Sequence, residues 1–441
     1  MAAVAFVFAV FFIALVFCVY NSISIVVPLL IGLLGFMALS RQRGYGFGDI
    51  FKMMREGVGK SAIVLEIFVL VGLITATWRA SGTIACIVYY GIEFMNEQFF
   101  ILFAFILSCI VSFLLGTCFG TVGTIGVVLM VLARAGGMNA DLVAGALIAG
   151  AFFGDRCSPM SSSANLVAIV TRTKLYTNIR NMLYSGMPAM LLTLAIYTIF
   201  SFTNPLSARS TPVSGEILQL FDIGIVAILP TVIVLGAALM RVDVRIAMAL
   251  SIGTAAILAL AVQGCAVTDL IRYSLSGYET GREGFFAGII KGGGLLSMVV
   301  PSLIVLISSA YAGIFAGTGM LKDLYALASK ASLRLGVYMV TTFTGIITAA
   351  FSCNQTLSVM LTQQIQEQSY EKQGLSKYRI AVDLENTAIV IAGLIPWNIA
   401  GAFPAAALSM GTGFMIYAVF LYILPLTGWM MYRLPGYLKE E

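Results

Sequence analysis

Acidic, basic and hydroxyl side chains interrupt an apolar part of the chain between Gly154 and Asn165. This stretch reads GDRCSPMSSSAN, and apolar residues flank it at 143–153 and 166–170. Backbone polar groups in lipid need internal partners, so a helix is broken at membrane depth only where it is buried in protein or lines a cavity. The stretch therefore predicts an ion or solute site. The alternative interpretation is a short cytoplasmic loop between two helices.

Oxygen-bearing side chains, which hard cations such as Na⁺ prefer, recur in a second interrupted segment at 381–411. Asp155 lies in the first segment and Glu385 in the second. A carboxylate inside a membrane is expensive to bury and is a functional candidate by default. We therefore predict that Asp155 and Glu385 are coupling carboxylates, and that Na⁺ is held by them together with Asn165 and Asn354. The neutral ion or substrate ligands that we expect are Thr121, Ser158, Ser161, Ser162, Asn165, Asn354, Thr356, Asn386, Thr387 and Asn398.

Three further side chains are candidates, and two of them have two interpretations each. Arg156 forms an ion pair with Asp155 or Glu385, or it binds a substrate carboxylate, and Trp397 is a candidate for the same solute site. Glu66 is alone in the apolar run 62–77. It is a functional carboxylate, or an interfacial residue because it lies only five residues into its span.

Composition places these residues in an all-α polytopic membrane protein. The chain has 441 residues, of which 60% are hydrophobic and 10% charged, and its mean hydropathy is +0.99. The 25 basic residues are spread over many loops, so we expect no nucleic-acid partner. The seven cysteines are an odd number without metal-type spacing and indicate packing residues. Histidine is absent, so any proton handling falls to carboxylates.

Hydrophobic runs predict the membrane spans, and two pairs of them are interrupted by small residues. The pairs at 98–133 and 335–364 are either full crossings or re-entrant hairpins. The apolar N-terminus lacks a basic n-region, which indicates a retained helix. The predicted spans are 2–20, 24–40, 61–78, 98–116, 117–133, 140–170, 183–203, 221–239, 246–262, 295–317, 335–352, 353–364, 381–411 and 413–431.

The basic residues predict the orientation, because cytoplasmic loops accumulate Lys and Arg. Most of them fall on one side when the spans are followed from the basic segment 41–60. We therefore expect a multi-pass protein of the plasma (inner) membrane of a prokaryote, with both termini in the cytoplasm. This bias holds only if 98–133 and 335–364 each return to the side they left.

A sequence repeat at an offset of 235 residues predicts two copies of one unit. Gly82-Thr83 matches Gly317-Thr318, and Pro159 matches Pro396 at a slightly larger offset. The copies start on opposite sides, which is the inverted-repeat architecture of many secondary transporters, with broken transmembrane helices at the site. The predicted organisation is an N-terminal hairpin and basic loop (1–60), the first repeat (61–203), a linking hairpin and external segment (204–294), the second repeat (295–431) and a cytoplasmic tail (432–441).

Around these residues the sequence resembles the NhaC-type Na⁺/H⁺ antiporter family, which also includes malate/lactate exchange. The family pattern G-D-K-x-S-P-x-S-D-T-T-N-L is matched by Gly154, Asp155, Ser158, Pro159, Ser161, Asn165 and Leu166, with Arg156 in the lysine position. The pattern L-E-D-S-G-T followed by P-W-N is matched by Leu384, Glu385, Pro396, Trp397 and Asn398. The chain departs from the family at two acids, which are replaced here by Ser162 and Asn386.

The resemblance and the residues together predict a cation-coupled secondary transporter that works by alternating access and is not an enzyme. The expected partners are the lipid bilayer and Na⁺ with H⁺ or a small carboxylate solute, and a homodimer is left open. No cofactor is expected, and Na⁺ is the coupling ion. The two missing acids favour an alternative, a Na⁺-coupled transporter of an amino acid or organic anion. An alternative of another class is a channel or sensor; an ATP-driven pump is disfavoured because the sequence has no phosphate-binding G-x-x-x-x-G-K-[ST] loop.

Overall fold

The chain is described by a computed structural model over residues 26–59, 61–94, 97–205, 213–240, 242–281, 284–319 and 335–432, with separate residues between Phe6 and Ser24. Over these ranges the chain is helical and has no strand, so the all-α class is confirmed. Most of the predicted span 2–20 and of the predicted tail 432–441 lies outside the described residues.

The described helices follow one another with short connections. Two π-helical turns lie among the described helices, at Val122–Gly126 within α6 and at Glu385–Ile389 between α18 and α19. The helices are α1 Val26–Gln42, α2 Phe47–Gly59, α3 Ala62–Ala80, α4 Thr83–Phe94, α5 Phe100–Leu115, α6 Cys118–Ala135, α7 Ala140–Cys157, α8 Ser162–Thr171, α9 Leu175–Thr203, α10 Val213–Leu220, α11 Leu229–Leu239, α12 Val244–Ala261, α13 Val267–Ser276, α14 Phe285–Ile290, α15 Val299–Thr318, α16 Val337–Ser352, α17 Gln355–Lys372, α18 Lys377–Leu384, α19 Val390–Ala392, α20 Ile399–Ala407, α21 Phe414–Tyr417 and α22 Val419–Met431.

Three stretches of the described chain are long and apolar enough to cross a membrane without interruption. They are α6, α9 and the segment Leu295–Thr318, which contains α15. Other apolar helices, such as α5 and α16, have 10–17 residues, because breaks divide the predicted spans. These apolar helices suggest a multi-pass membrane protein.

One predicted loop is helical. The basic segment 41–60 contains α2, which packs along α15. The backbones approach closely at Gly57 and Gly313, where an added methyl group would collide with a backbone carbonyl of the other helix. Helix α2 is amphipathic: it carries charged residues on one face and buries Ile50 on the other. Its Lys and Arg residues therefore resembled those of a cytoplasmic loop.

Four helix breaks dominate the interior. Break 1 is Gly116–Thr117 between α5 and α6, and break 2 is Ser158–Ser161 between α7 and α8. Break 3 is Cys353–Asn354 between α16 and α17, and break 4 is Gly393–Asn398 before α20. Breaks 2 and 4 lie inside the two segments that the sequence predicted to be interrupted.

The breaks have matching backbone geometry in the two halves of the chain. Thr117 before α6 has φ −152° and ψ 130°, and Asn354 before α17 has φ −139° and ψ 125°. Ser161 before α8 has φ −68° and ψ 131°, and Asn398 before α20 has φ −75° and ψ 139°. In both pairs the second residue lies 237 positions after the first. The spacing of 237 at the breaks is two residues larger than the offset of 235 between Gly82 and Gly317, and it equals the spacing of Pro159 and Pro396.

The residue just before each of Thr117 and Asn354 is in the left-handed region. Gly116 has φ 68° and Cys353 has φ 53°. Glycine adopts this conformation without steric cost, whereas an L side chain does not. The thiol of Cys353 lies 2.9 Å from the hydroxyl of Tyr311 on α15.

Helices α16 and α17 form an antiparallel hairpin around break 3. The hydroxyl of Thr348 lies 2.9 Å from that of Ser358, near the break. Further away, Gln366 donates to Thr344 at 2.8 Å. The contacts pair earlier residues of α16 with later residues of α17, so α17 runs back along α16.

Candidate functional site

A cavity of about 560 Å³ lies where the four breaks meet. Its wall includes the start of all four helices that follow the breaks: α6, α8, α17 and α20. Unpaired N–H groups at a helix N-terminus carry partial positive charge, so this cavity has a positive backbone field. The breaks and neighbouring helices contribute Gly116, Thr117, Cys118, Phe119, Phe152, Asp155, Met160, Ser162, Asn354, Gln355, Thr356, Ile399 and Ala400 to the lining.

Asp155 is the acidic group in the interior of the cavity, and its residue is only 6% exposed. The Nε2 atom of Gln355 donates to Asp155 Oδ2 at 3.3 Å and to the Ile389 carbonyl at 3.1 Å. The carboxylate also faces the backbone N–H of Cys118 and the hydroxyl of Ser163. Residues from both halves of the chain therefore hold this carboxylate.

The start of α6 has no side-chain cap, unlike the starts of the other three helices. Asn354 Oδ1 accepts from Leu357 N, and Asn398 Oδ1 accepts from Ala400 N. Thr117 makes no such bond at the start of α6. The carboxylate of Asp155 lies near the backbone N–H of Cys118, the first residue of that helix.

Several predicted ligands hold the breaks together and do not line the cavity. Ser158 donates to the Phe113 carbonyl at 2.6 Å, and Trp397 Nε1 donates to the Ala350 carbonyl at 2.7 Å. These two carbonyls are also 237 positions apart. Ser161 donates to the Asp155 carbonyl and caps α8, and Asn398 Nδ2 donates to the Ala349 carbonyl.

Other predicted ligands bond to the backbone of their own helix or break. Thr121 donates to the Thr117 carbonyl at 2.9 Å, and Thr387 donates to the Asp383 carbonyl at 2.6 Å. Asn165 donates to the Ser161 carbonyl at 2.7 Å. These groups lie outside the cavity lining, whereas Asp155, Ser162, Asn354 and Thr356 are together in it.

Glu385 and Arg156 form a second polar layer, buried behind the cavity. Neither carboxylate oxygen of Glu385 has a hydrogen-bond partner, and the charges of Arg156 and Asp155 both act on it. Arg156 Nη2 donates to the Met182 carbonyl at 2.5 Å, which turns the guanidinium toward α9 and away from the cavity. Asn386 donates to Ser185 on the same helix at 3.3 Å.

Asp383 belongs to a third buried layer whose burial the sequence did not indicate. Its side chain is fully buried. Tyr370 donates to Asp383 Oδ2 at 2.7 Å, and Arg379 Nε lies 3.6 Å from the same oxygen. The Arg379 guanidinium stacks over the ring of Tyr432 at 3.9 Å. Tyr370 and Tyr432 are distant in sequence, so spacing alone could not identify this cluster.

A charged cluster lies at the mouth of the cavity. Arg245 lines the mouth, and its Nη1 is 3.0 Å from Glu66 Oε2 on α3. Arg245 also binds Asp243, which lowers the pKa of the Asp243 carboxyl below its usual range through hydrogen bonds from the Arg245 side chain and backbone N–H. The three side chains are about half exposed. The sequence identified Glu66, but nothing in it indicated a partner 179 residues away.

The donor set of the cavity suits a hard monovalent cation as a substrate. Its interior offers the carboxylate of Asp155, and Thr117, Ser162, Asn354 and Thr356, which carry neutral oxygens, also line it. Within the described ranges there is no group of three or more Cys, Asp or Glu side chains suited to a resident metal ion.

The chain is similar to proteins of one transporter family. The sequence model of the Na⁺/H⁺ antiporter family matches residues 150–432. An uncharacterized Na⁺/H⁺ antiporter from Haemophilus influenzae is 28% identical over 381 residues, 84% of this chain and 81% of the relative. A malate-2H⁺/Na⁺-lactate antiporter from Bacillus subtilis is 27% identical over 409 residues (91% and 87%). The Na⁺/H⁺ antiporter NhaC from Alkalihalophilus pseudofirmus is 29% identical over 412 residues (90% and 88%).

Proposed function

The chain belongs to the Na⁺/H⁺ antiporter family, and from this premise we propose that it exchanges Na⁺ for H⁺ at the Asp155 cavity by alternating access. The family that the motifs around Asp155 and Glu385 predicted is confirmed, as is cation-coupled antiport in general terms. The ion, the site and the coupling route are our proposals.

One observation carries the proposal: a buried carboxylate lines a cavity at the meeting point of four helix breaks. Asp155 is the buried acid there, and Thr117, Asn354 and Thr356 line the same space. A carboxylate binds either a proton or a cation, and each neutralises a charge that is costly to bury. Competition between Na⁺ and H⁺ for Asp155 couples their movements.

Two further residues support a coupling route behind the cavity. Glu385 is buried without a hydrogen bond to its carboxylate oxygens, and it experiences the charges of both Asp155 and Arg156. Any change in the charge of Asp155 therefore changes the free energy of ionising Glu385. We propose that Asp155 binds the ion from the cavity and that Glu385 responds to it electrostatically, with Arg156 as the fixed counter-charge.

The matching breaks support an inverted repeat as the basis of alternating access. Breaks 1 and 3, and breaks 2 and 4, have similar backbone angles at a constant spacing of 237 residues. Gln355 in the second half binds Asp155 in the first. In this proposal the mouth at Arg245 opens to the cytoplasm, because the basic residues predict that side to be inside.

A second candidate substrate is a small carboxylate that moves with or against Na⁺. The cavity of about 560 Å³ is in the size range of small-molecule sites and far exceeds a single cation. Four helix N-termini favour an anion in it, and one relative is named for malate and lactate exchange.

Transport by the purified protein in liposomes tests the proposal. Na⁺ added outside vesicles that contain a pH-sensitive dye is expected to move protons in wild type and not in Asp155→Asn. Asp141→Asn is the matched control, because Asp141 lies in the first turn of the same helix, outside the cavity lining. Normal exchange by Asp155→Asn would remove Asp155 from the coupling site.

The same vesicles separate the two substrates. Proton movement on addition of Na⁺ alone supports plain Na⁺/H⁺ exchange. A requirement for malate or lactate on the opposite side, again lost in Asp155→Asn, supports the carboxylate exchanger.

A further inference from the structure

Two arginines lie at the ends of α3 and α6, which pack against each other at Val71 and Gly123, on the side of the molecule opposite to the cavity mouth. Arg79 is in the last turn of α3 and is 5% exposed. Its Nη1 donates to the Thr75 carbonyl of its own helix at 2.6 Å, and its Nε is buried without a hydrogen-bond partner. Arg134 is in the last turn of α6, partly buried, and its charge repels that of Arg79. We call these two residues the arginine pair.

The arginine pair has no acidic partner among the described residues. The ion pairs seen there join Arg245 to Glu66 and Asp243, Lys291 to Glu279, and Arg379 to Asp383. Neutral groups contact the arginine pair instead: Arg134 Nη2 donates to the carbonyls of Leu408 at 2.8 Å and Ser409 at 3.0 Å. Two like charges removed from water without a counter-charge are unfavourable, and an anion between them offsets that cost.

The arginine pair is connected to the cavity by three helices. Helix α3 contributes Val64 and Ile67 to the lining, and twelve residues separate Ile67 from Arg79, a rise of about 18 Å. Helix α6 starts at the cavity and ends at Arg134. Helix α20 also starts at the cavity, and Arg134 binds the carbonyls just after its end. The arginine pair therefore lies at the ends of these three helices, on the face that we expect to be external.

We propose that Arg79 and Arg134 bind a small anion, a carboxylate or a halide, on the membrane face opposite to the cavity mouth. The unpartnered Nε of Arg79 and a guanidinium N–H group of Arg134 are the expected donors, since a guanidinium presents several N–H groups in one plane. The deep burial of Arg79 limits the ligand to a small one. The bound anion joins the ends of α3, α6 and α20.

A purely structural role is the alternative. Both arginines contact carbonyl groups at helix C-termini, where a cation is favourable without any ligand. That role predicts that stability depends on each arginine but not on which anion is present.

Thermal unfolding of the purified protein in detergent distinguishes the two roles. Gluconate, a large anion, is replaced stepwise by chloride or by acetate at constant Na⁺ and ionic strength. We expect a saturable rise in the unfolding temperature of wild type, roughly 1–3 °C at ten times the dissociation constant. The anion with the lower half-saturating concentration identifies a halide or a carboxylate as the better ligand.

Three variants and one control assign the response to the arginine pair. Arg79→Gln and Arg134→Gln are expected to lose it, and Arg79→Lys is expected to keep it at a higher half-saturating concentration. Arg272→Gln is the control, because Arg272 is exposed and its guanidinium lies over the Tyr273 ring. Asp155→Asn should keep the response, which separates this site from the cavity. The proposal is overturned if chloride and acetate act on wild type no differently from gluconate, or if both glutamine variants respond as wild type does; if Arg79→Gln fails to fold, Arg134→Gln alone decides.

Discussion

Replacing Gly154 by alanine is expected to disturb the site without changing its charge. Helices α5 and α7 make the most extensive contact in the described fold. A methyl group on Gly154 would collide with the backbone of Ser112 and Phe113, far inside the closest approach of real side chains. The hydroxyl of Ser112 donates to the Ala151 carbonyl at the same contact, so the two helices cannot separate without losing this bond.

The magnitude follows from two opposing effects. Overpacking a close contact costs about 1–3 kcal/mol, and the upper part of that range applies because backbone, not a flexible side chain, would have to move. Replacing a helical glycine by alanine recovers about 0.5–1 kcal/mol. We therefore expect Gly154→Ala to lose about 1–2 kcal/mol of stability, which lowers the unfolding temperature by roughly 1–2 °C. Asp155 is the next residue, so its displacement should lower transport about tenfold or more.

Gly253→Ala is the matched control. Gly253 is an exposed residue inside α12, and a methyl group added to it would meet nothing within 4 Å. This variant is expected to unfold at the same temperature as wild type or slightly higher, with unchanged transport. The comparison uses thermal unfolding in detergent and Na⁺-driven proton movement in liposomes. If Gly154→Ala behaves like Gly253→Ala in both assays, the close contact between α5 and α7 is wrong.

Three further predictions follow from the placement of single side chains. Thr356→Ala is expected to weaken apparent Na⁺ affinity several-fold in the liposome assay and Thr121→Ala to change it little, because only Thr356 lines the cavity; equal effects would contradict this. A double-mutant cycle on Arg245 and Glu66 should give a coupling below about 1 kcal/mol in thermal unfolding that falls with salt, since the pair is half exposed; a larger, salt-independent coupling would indicate a buried pair. A cysteine at Lys372, in a background without other cysteines, should react with an impermeant reagent only from the cytoplasmic side, and reaction from outside would remove the inverted repeat.

The sequence was informative where physical chemistry leaves few alternatives. Strong hydrophobicity with few charges identified a helical membrane protein. Polar residues beside proline in apolar sequence located breaks 2 and 4, because such residues seldom continue a helix in lipid. Asp155 was singled out for the same reason, and the structure places it in the cavity.

Spacing could not distinguish an oxygen that faces the cavity from one that caps a helix. Ser161 and Asn398 have the side chains of ion ligands, but each satisfies N–H groups at the start of a helix. Whether such an oxygen faces the cavity or caps a helix depends on how the backbone turns at the break. Contacts between residues far apart in sequence fix that turn, and the one between Gln355 and Asp155 spans 200 residues. Long-range contacts also explain why the partner of Glu66 was missed.

Breaks 1 and 3 carry different residues in the left-handed conformation, which bears on the proposed exchange between two conformations. Two identical halves that exchange shapes would make the inward-open and outward-open states equal in energy. Gly116 takes its left-handed conformation freely, whereas Cys353 does so at a cost of about 1–2 kcal/mol, partly offset by its contact with Tyr311. If the proposed alternating access exchanges the shapes of breaks 1 and 3, this cost biases the resting population of the two states. Cys353→Gly, which makes the two breaks alike, measures the size of that bias.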